Sequence, residues 1–274
     1  MIPEALSTEK IRRSITYLGA GVLVLVVTLY LALPIVALFF RTTPDLFFSS
    51  LSNPQVASAL WLSFLTSTLS LAIVILVGTP FAYVHTRCSY PGKMIVDTLI
   101  DLPLVLPPAV AGVALLVLYG RAGFLGHYFS MLGISIAFTT LAVIMAQIFV
   151  ASPFYLRQAK SLFEQFDRSY EHAARTLGAS PVRTFLTITL PMTASGLVSG
   201  AVMTFGRALG EFGATIMFAG NMPGVSQTMP LAVYVGMEGN NFYVGLTIAI
   251  ILVIISFAIM ITVRYLAHRE ASHA

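Results

Sequence analysis

The feature that most constrains this chain is a succession of apolar runs, each long enough to cross a bilayer. A helix spans the hydrocarbon layer with about 20 predominantly apolar residues. Hydropathy marks six such stretches: Tyr17 to Phe40, Ala57 to Val84, Met94 to Leu118, Ile134 to Tyr155, Pro191 to Ala219 and Phe242 to Tyr265. The expected fold is an all-α integral membrane domain of six transmembrane helices, with residues 1–274 forming one unit. Charged residues make up only 9% of the chain, against about 25% in soluble domains, which excludes a soluble enzyme. Lys10, Arg12 and Arg13 precede the first run, but that run exceeds the roughly 7–15 residues of a cleaved signal core. It reads as an uncleaved span.

Orientation follows from the positive side chains, because cytoplasmic loops retain Lys and Arg. An even number of spans puts both termini on one side, which also holds Arg87, Lys93, Arg157, Lys160, Arg168, Arg175, Arg183, Arg264 and Arg269. The other side holds only Arg41 and Arg121. A multi-pass cell-membrane protein with both termini cytoplasmic is expected, and topology accounts for the net charge of +4 without nucleic acid. Cys88 is the only cysteine, and the five histidines, at 85, 127, 172, 268 and 273, lack the close spacing of a metal site. No metal is expected.

The longest cytoplasmic connection, residues 157–190, has its own helical grammar. Asp167 or Ser169 can cap a short helix through Thr176 and Leu177, and Gly178 supplies the left-handed residue that ends it. Ser180 followed by Pro181 starts another helix. On the first helix Ala173, Ala174 and Leu177 form a small apolar face, fit either for a docking protein or for the membrane surface.

Glu171-His172-Ala173-Ala174-Arg175-Thr176-Leu177-Gly178, followed after nine residues by Ile188-Thr189-Leu190-Pro191, resembles the cytoplasmic loop signature of ABC importer permeases, E-A-A-x(3)-G-x(9)-I-x-L-P. The acidic residue stands one position early, and His172 takes the usual glutamate place. The resemblance implies that Glu171, His172, Ala173, Ala174, Leu177 and Gly178 belong to a coupling helix that docks into a groove on an ATP-hydrolysing subunit. Two more stretches, Asp101-Leu102-Pro103-Leu104-Val105-Leu106-Pro107-Pro108-Ala109-Val110-Ala111-Gly112 and Arg207-Ala208-Leu209-Gly210-Glu211-Phe212-Gly213-Ala214-Thr215, resemble the molybdate and tungstate permeases and the related sulfate importers. Gly120-Arg121-Ala122-Gly123-Phe124-Leu125-Gly126 resembles the molybdate branch more closely. The family implies a homodimer, two ATP-binding cassette subunits carrying ATP and Mg, and an external oxyanion-binding protein.

Inside the spans, charge is expensive, so Arg207 and Glu211 must face protein or a water-filled path. Four residues apart, they can pair on one helical face. Met203 and Thr215 extend that stripe, which either fixes helix packing or lines a passage. Gly196 and Gly200, like Gly206 and Gly210, have the spacing that admits another helix backbone closely, and a small-residue packing surface can also slide as a gate does. Pro103, Pro107 and Pro108 should bend or unwind the third span, whose freed carbonyls then face the protein interior. Asp97 and Asp101, just ahead of the break, suit solvation or pairing with loop arginines. Asn221, Ser226, Gln227 and Thr228 lie in an external segment without Lys or Arg, read either as an outer gate or as a polar connecting loop.

No G-x-x-x-x-G-K-[ST] phosphate loop occurs, so any ATP hydrolysis belongs to a separate chain. An intramembrane protease would need a metal helix, paired aspartates or a serine with its base, and a secondary transporter would show internal repeats. Neither pattern is present. The expected function is the permease subunit of an ATP-driven importer of molybdate or tungstate, with a sulfate or thiosulfate permease as the alternative; the chain itself is a transport subunit, not an enzyme.

Overall fold

The computed structural model describes residues 3–239 and 241–271, and His273 lies outside them. The regular elements among the described residues are helices. α1 (Pro3–Phe40) contains the first apolar run, whose large side chains stay exposed as a lipid-facing helix requires. A short helix absent from the hydropathy reading, α2 (Pro44–Leu51), follows it. The Thr43 hydroxyl accepts from the Leu46 N–H and Pro44 sets the first turn. α3 (Pro54–Arg87) starts the same way, with Asn53 Oδ1 accepting from Gln55 N–H at 2.9 Å.

The third apolar run is split into α4 (Lys93–Val105) and α5 (Pro108–Tyr119), which meet at 117°. Pro107 and Pro108 lack N–H donors and drive their predecessors out of helical geometry, so the break falls at Leu106 and Pro107. Pro103, expected to interrupt the run as well, is tolerated inside α4. After α6 (Gly126–Met131), α7 (Thr140–Gln165) starts at the Thr139 cap rather than at Ile134, and it runs past Tyr155 to Gln165. α4 is joined to Arg157 and Lys160 near one end of α7, whereas α5 packs on Ala142 to Val150 near the other. The described residues thus hold five unbroken helices long and apolar enough to cross a bilayer, and six crossings if the bent pair counts as one.

The connection predicted to begin at residue 157 is shorter than expected, because α7 occupies its first part. It holds α8 (Ser169–Thr176) and α9 (Pro181–Thr184). α9 does not stand apart: it continues through a π-helical turn, Phe185–Thr189, into α10 (Leu190–Leu209). The wider turn, with Leu190 N–H donating to the Phe185 carbonyl, lies immediately ahead of Pro191, whose ring would collide with the carbonyl four residues back in a regular helix. The fifth span thus runs from Pro181 to Leu209, not from Pro191. It stops at Gly210 and resumes as α11 (Gly213–Ala219), followed by α12 (Met229–Glu238) and α13 (Phe242–Ala271).

α3, α7 and α10 pack against one another through Val74, Tyr155, Ala159, Phe163 and Leu197 near the α8 end. Farther along, α5 and α11 close on α7, and α12 and α13 close on α3 and α10. Small residues set the distances. A Cβ on Gly196 would come within 2.7 Å of Leu162, one on Gly200 within 2.9 Å of Gln158, and one on Gly112 within 2.6 Å of the Ala214 carbonyl. Because this last neighbour is backbone, Gly112→Val should lower the thermal midpoint in detergent by an amount equivalent to about 1–3 kcal/mol. Gly21→Ala, whose new carbon meets nothing within 4 Å, should leave it level or raise it.

Candidate functional site

Two places gather the chain's chemistry. The first is α8. Asp167 accepts from Ser169 N–H at 2.9 Å and from its hydroxyl at 2.8 Å, which holds the Asp167 carboxyl below its usual range and shapes the start of the helix. At the far end Gly178 has φ of 89°, Ala179 N–H donates to the Ala174 carbonyl and Gly178 N–H to that of Arg175. This is a Schellman stop, as the sequence predicts.

α8 is held by one buried charge. Arg87, the last residue of α3, donates from Nε and Nη2 to the two Glu171 oxygens at 3.1 and 2.8 Å. Its Nη1 donates to the Phe163 carbonyl on α7 at 2.8 Å, and the guanidinium lies 5.3 Å from the Tyr83 ring centre. Thr189, in the π turn, donates to Glu171 Oε1 at 2.8 Å. Burial raises the Glu171 carboxyl, but the bonds from Arg87 and Thr189 and the charges of Arg87 and Arg168 outweigh it and hold the group below its ordinary value. One carboxylate therefore ties α8 to α3 and to the base of α10.

This placement corrects the docking face read from sequence. Glu171 and Ala174 are turned inward and buried, whereas His172, Ala173 and Leu177 are exposed, Leu177 at 89%. The smooth face is Ala173 with Leu177, without Ala174. Arg87 and Thr189 were missed because nothing in one sequence relates Glu171 to positions 84 residues before it and 18 after it. A basic residue closing a span was the only signal available.

The second place is the break in the fifth span. Arg207 Nη2 is 2.7 Å from Glu211 Oε2, while Glu211 Oε1 accepts from Ala214 N–H at 2.7 Å. Glu211 is not on the same helix as Arg207: it sits in the gap and satisfies a free N–H at the start of α11. It is 1% exposed; Arg207 is 28% exposed and has no other partner among the described residues. Gly213 lies against Pro108, so the two broken spans meet here. Met192, Ser195, Ser199, Met203 and Arg207 on α10, with Gly210 just past its end, follow one another at three- and four-residue steps and are all at least partly exposed. A stripe holding two serines, an arginine and a glycine is unsuited to lipid.

The remaining expected pathway residues point elsewhere. Thr215 is fully buried with its hydroxyl unpartnered among the described residues, so it does not continue the Met203 stripe. The segment after α11 is exposed from Met222 to Val225 and folded into the bundle from Ser226 to Met229. Ser226 Oγ accepts from Met222 N–H at 3.0 Å, Gln227 accepts from Gln55 at 2.9 Å, and Met229 N–H donates to Ser63 at 2.7 Å. Asn221 Oδ1 and the Thr228 hydroxyl are buried without partners among the described residues.

A permease-type membrane bundle with a rigidly mounted surface helix is the class these features define. Residues 89–272 match the family model described as binding-protein-dependent transport system inner membrane component, and the chain belongs to that family, the permease subunits of ABC importers. A molybdenum transport system permease protein ModB of Mycobacterium bovis is 42% identical over 207 residues, 75% of this chain and 78% of that one. The Escherichia coli K12 protein of the same description is 43% identical over 185 residues, 67% and 80% of the two chains. A probable sulfate transport system permease protein cysT of Zygnema circumcarinatum is 34% identical over 247 residues, 89% and 86%. The fold matches a bacterial ABC transporter involved in alginate import with a TM-score of 0.72 at 16% identity, covering 97% of this chain and 99% of the other.

Removing one partner of a buried pair costs more than removing both. Arg87→Ala should therefore abolish hydrogen-exchange protection of α8, by the equivalent of roughly 3–5 kcal/mol, and Arg87→Ala with Glu171→Gln should restore part of it. The same protection should be level at neutral pH. The Glu171 contribution is present above the ordinary glutamate value of about 4.3 and is lost as pH falls through the lower folded value. For the second pair, Arg207→Ala should lower the thermal midpoint more than Arg207→Ala combined with Glu211→Gln, which removes the stranded charge and keeps an acceptor for the Ala214 N–H; equal losses would mean that the pair is not coupled.

Proposed function

We propose that this chain is the permease subunit of an ATP-driven importer that carries molybdate or tungstate into the cytoplasm. Two copies pair across a two-fold axis with their α10 stripes facing each other, flanked by two ATP-binding cassette subunits that hold ATP and Mg and met outside by an oxyanion-binding protein. The observation that carries this reading is the mounting of α8: an exposed face of His172, Ala173 and Leu177 fastened by Glu171 to two spans, so a push on the face reaches α3 and α10. Relatives described as molybdenum permeases at 42–43% identity support the substrate. The sulfate permease at 34% keeps sulfate as the second reading, since both substrates are tetrahedral dianions. In this reading α8 lies on the cytoplasmic side, as do both termini.

Closure of the ATPases moves α8, and through Glu171 the ends of α3 and α10, which opens the passage outward; hydrolysis reverses the motion. Arg207 offers guanidinium donors to the passage while Glu211 offsets its charge, so a dianion is attracted without being trapped. Stable oxyanion capture belongs to the external protein.

Reconstitution with the ATPase and the capture protein tests this: molybdate uptake should require ATP, and uptake indifferent to ATP would end the proposal. Gly178→Val should uncouple ATP hydrolysis from uptake by about tenfold or more, because a β-branched residue is strained at positive φ while the added carbon meets nothing within 4 Å. A cysteine at Leu177 should crosslink to the ATPase, and one at Ala174 should not.

A further inference from the structure

On the α8 side of the bundle, between α3, α4 and α7, two cavities run into one another. The outer one, about 230 Å³, is lined by charge, with His85, Asp97, Asp101, Arg157, Lys160 and Glu164 around it. The inner one, about 280 Å³, is apolar and bounded by Ile73, Val77, Gly78 and Ile148. Phe81, Ile100 and Leu156 wall both, so they form one groove with a charged mouth. At a rise of about 1.5 Å per residue, its apolar part lies roughly 10–20 Å from the Arg87 end of α3, within the leaflet nearest α8.

The groove exists because α4 does not pack closely: none of its residues is buried. Charge holds it in place. Asp97 Oδ1 lies 2.8 Å from His85 Nε2 and accepts from Lys160 Nζ at 2.5 Å, and His85 Nδ1 is 2.6 Å from Tyr90 Oη. That leaves Lys160 and Asp97 matched, with capacity unused beside them. Arg157 Nε is 3.5 Å from Asp101 Oδ1, too far for a good hydrogen bond, and that buried oxygen has no hydrogen-bond partner among the described residues. Glu164 reaches Lys160 only at 3.9 Å.

We propose that this groove binds one zwitterionic glycerophospholipid of the phosphatidylethanolamine class. An acyl chain fills the space along Ile73, Val77 and Ile148, the phosphate meets the Arg157 guanidinium, and the ammonium meets Asp101 and Glu164. The charge pattern selects the headgroup. Three carboxylates around the mouth disfavour a lipid with net negative charge, while the one underused guanidinium between them accepts a phosphate that brings its own cation. The bound lipid occupies the gap that α4 leaves and braces it against α3, beside the residue that fastens α8.

Native mass spectrometry of the full chain in nanodiscs made from equal parts phosphatidylethanolamine and phosphatidylglycerol tests the site. One phosphatidylethanolamine per chain should survive release from the disc, favoured about tenfold over phosphatidylglycerol. Ile73→Trp and Val77→Trp should each expel it while the chain keeps its helical circular dichroism. Arg157→Gln, which leaves the groove open, should abolish the headgroup preference alone. Equal retention of the two lipids, or retention unchanged by both tryptophan variants, would overturn the proposal. So would crosslinking of a cysteine at Val77 to a second copy, which would make the groove an interface between chains.

Discussion

The Glu171 carboxylate is the interaction on which the α8 end of this protein depends. A carboxylate withdrawn from water is tolerable only if its lone pairs are filled. Here Arg87 supplies two donors and Thr189 a third, and Arg87 spends its remaining terminal nitrogen on the α7 backbone. The result joins three spans and a surface helix through one pair of side chains, Arg87 and Glu171. A helix as short as α8 has little stability of its own, so its position is owed to this contact and to the turn at Gly178.

A second constraint acts deeper, where backbone groups have no water to turn to. Two spans break there, and each break is covered by protein. At the Pro107–Pro108 break fewer N–H groups require an acceptor, because proline has none, and Gly213 lets the neighbouring segment approach it. The gap after Leu209 is bridged by Glu211, which joins Arg207 on one side to the N–H of Ala214 on the other. An ion pair read as two groups on one helical face is instead a strut across a discontinuity.

Hydropathy located the membrane crossings, because length and apolarity are local properties, and proline chemistry foretold the broken third span. Loop grammar foretold the stop at Gly178. The inward turn of Glu171 and Ala174 escaped detection, since the carboxylate is held by Arg87, 84 residues earlier, and by Thr189 in a turn that only the folded chain brings beneath α8. The same holds for Ser226 and Thr228: a polar stretch between two spans looks like an exposed loop until its partners, Gln55 and Ser63, are known to lie beside its neighbours. The late start assigned to the fifth span has a different cause, because Pro191 is a reasonable first-turn residue and only the π turn before it shows that the helix is already under way.

That π turn also fixes an azimuth. Each residue of a helix advances the side-chain direction by about 100°, and a widened turn accommodates one residue more than its regular counterpart. Everything beyond Thr189 is therefore phased by the surplus: removing it would rotate the whole of α10 relative to α8, carrying the arginine at 207 off its present heading and turning Gly196 and Gly200 away from the notches they make for Leu162 and Gln158. A single irregular turn at the membrane surface thus sets the compass bearing of a side chain more than a dozen residues farther along.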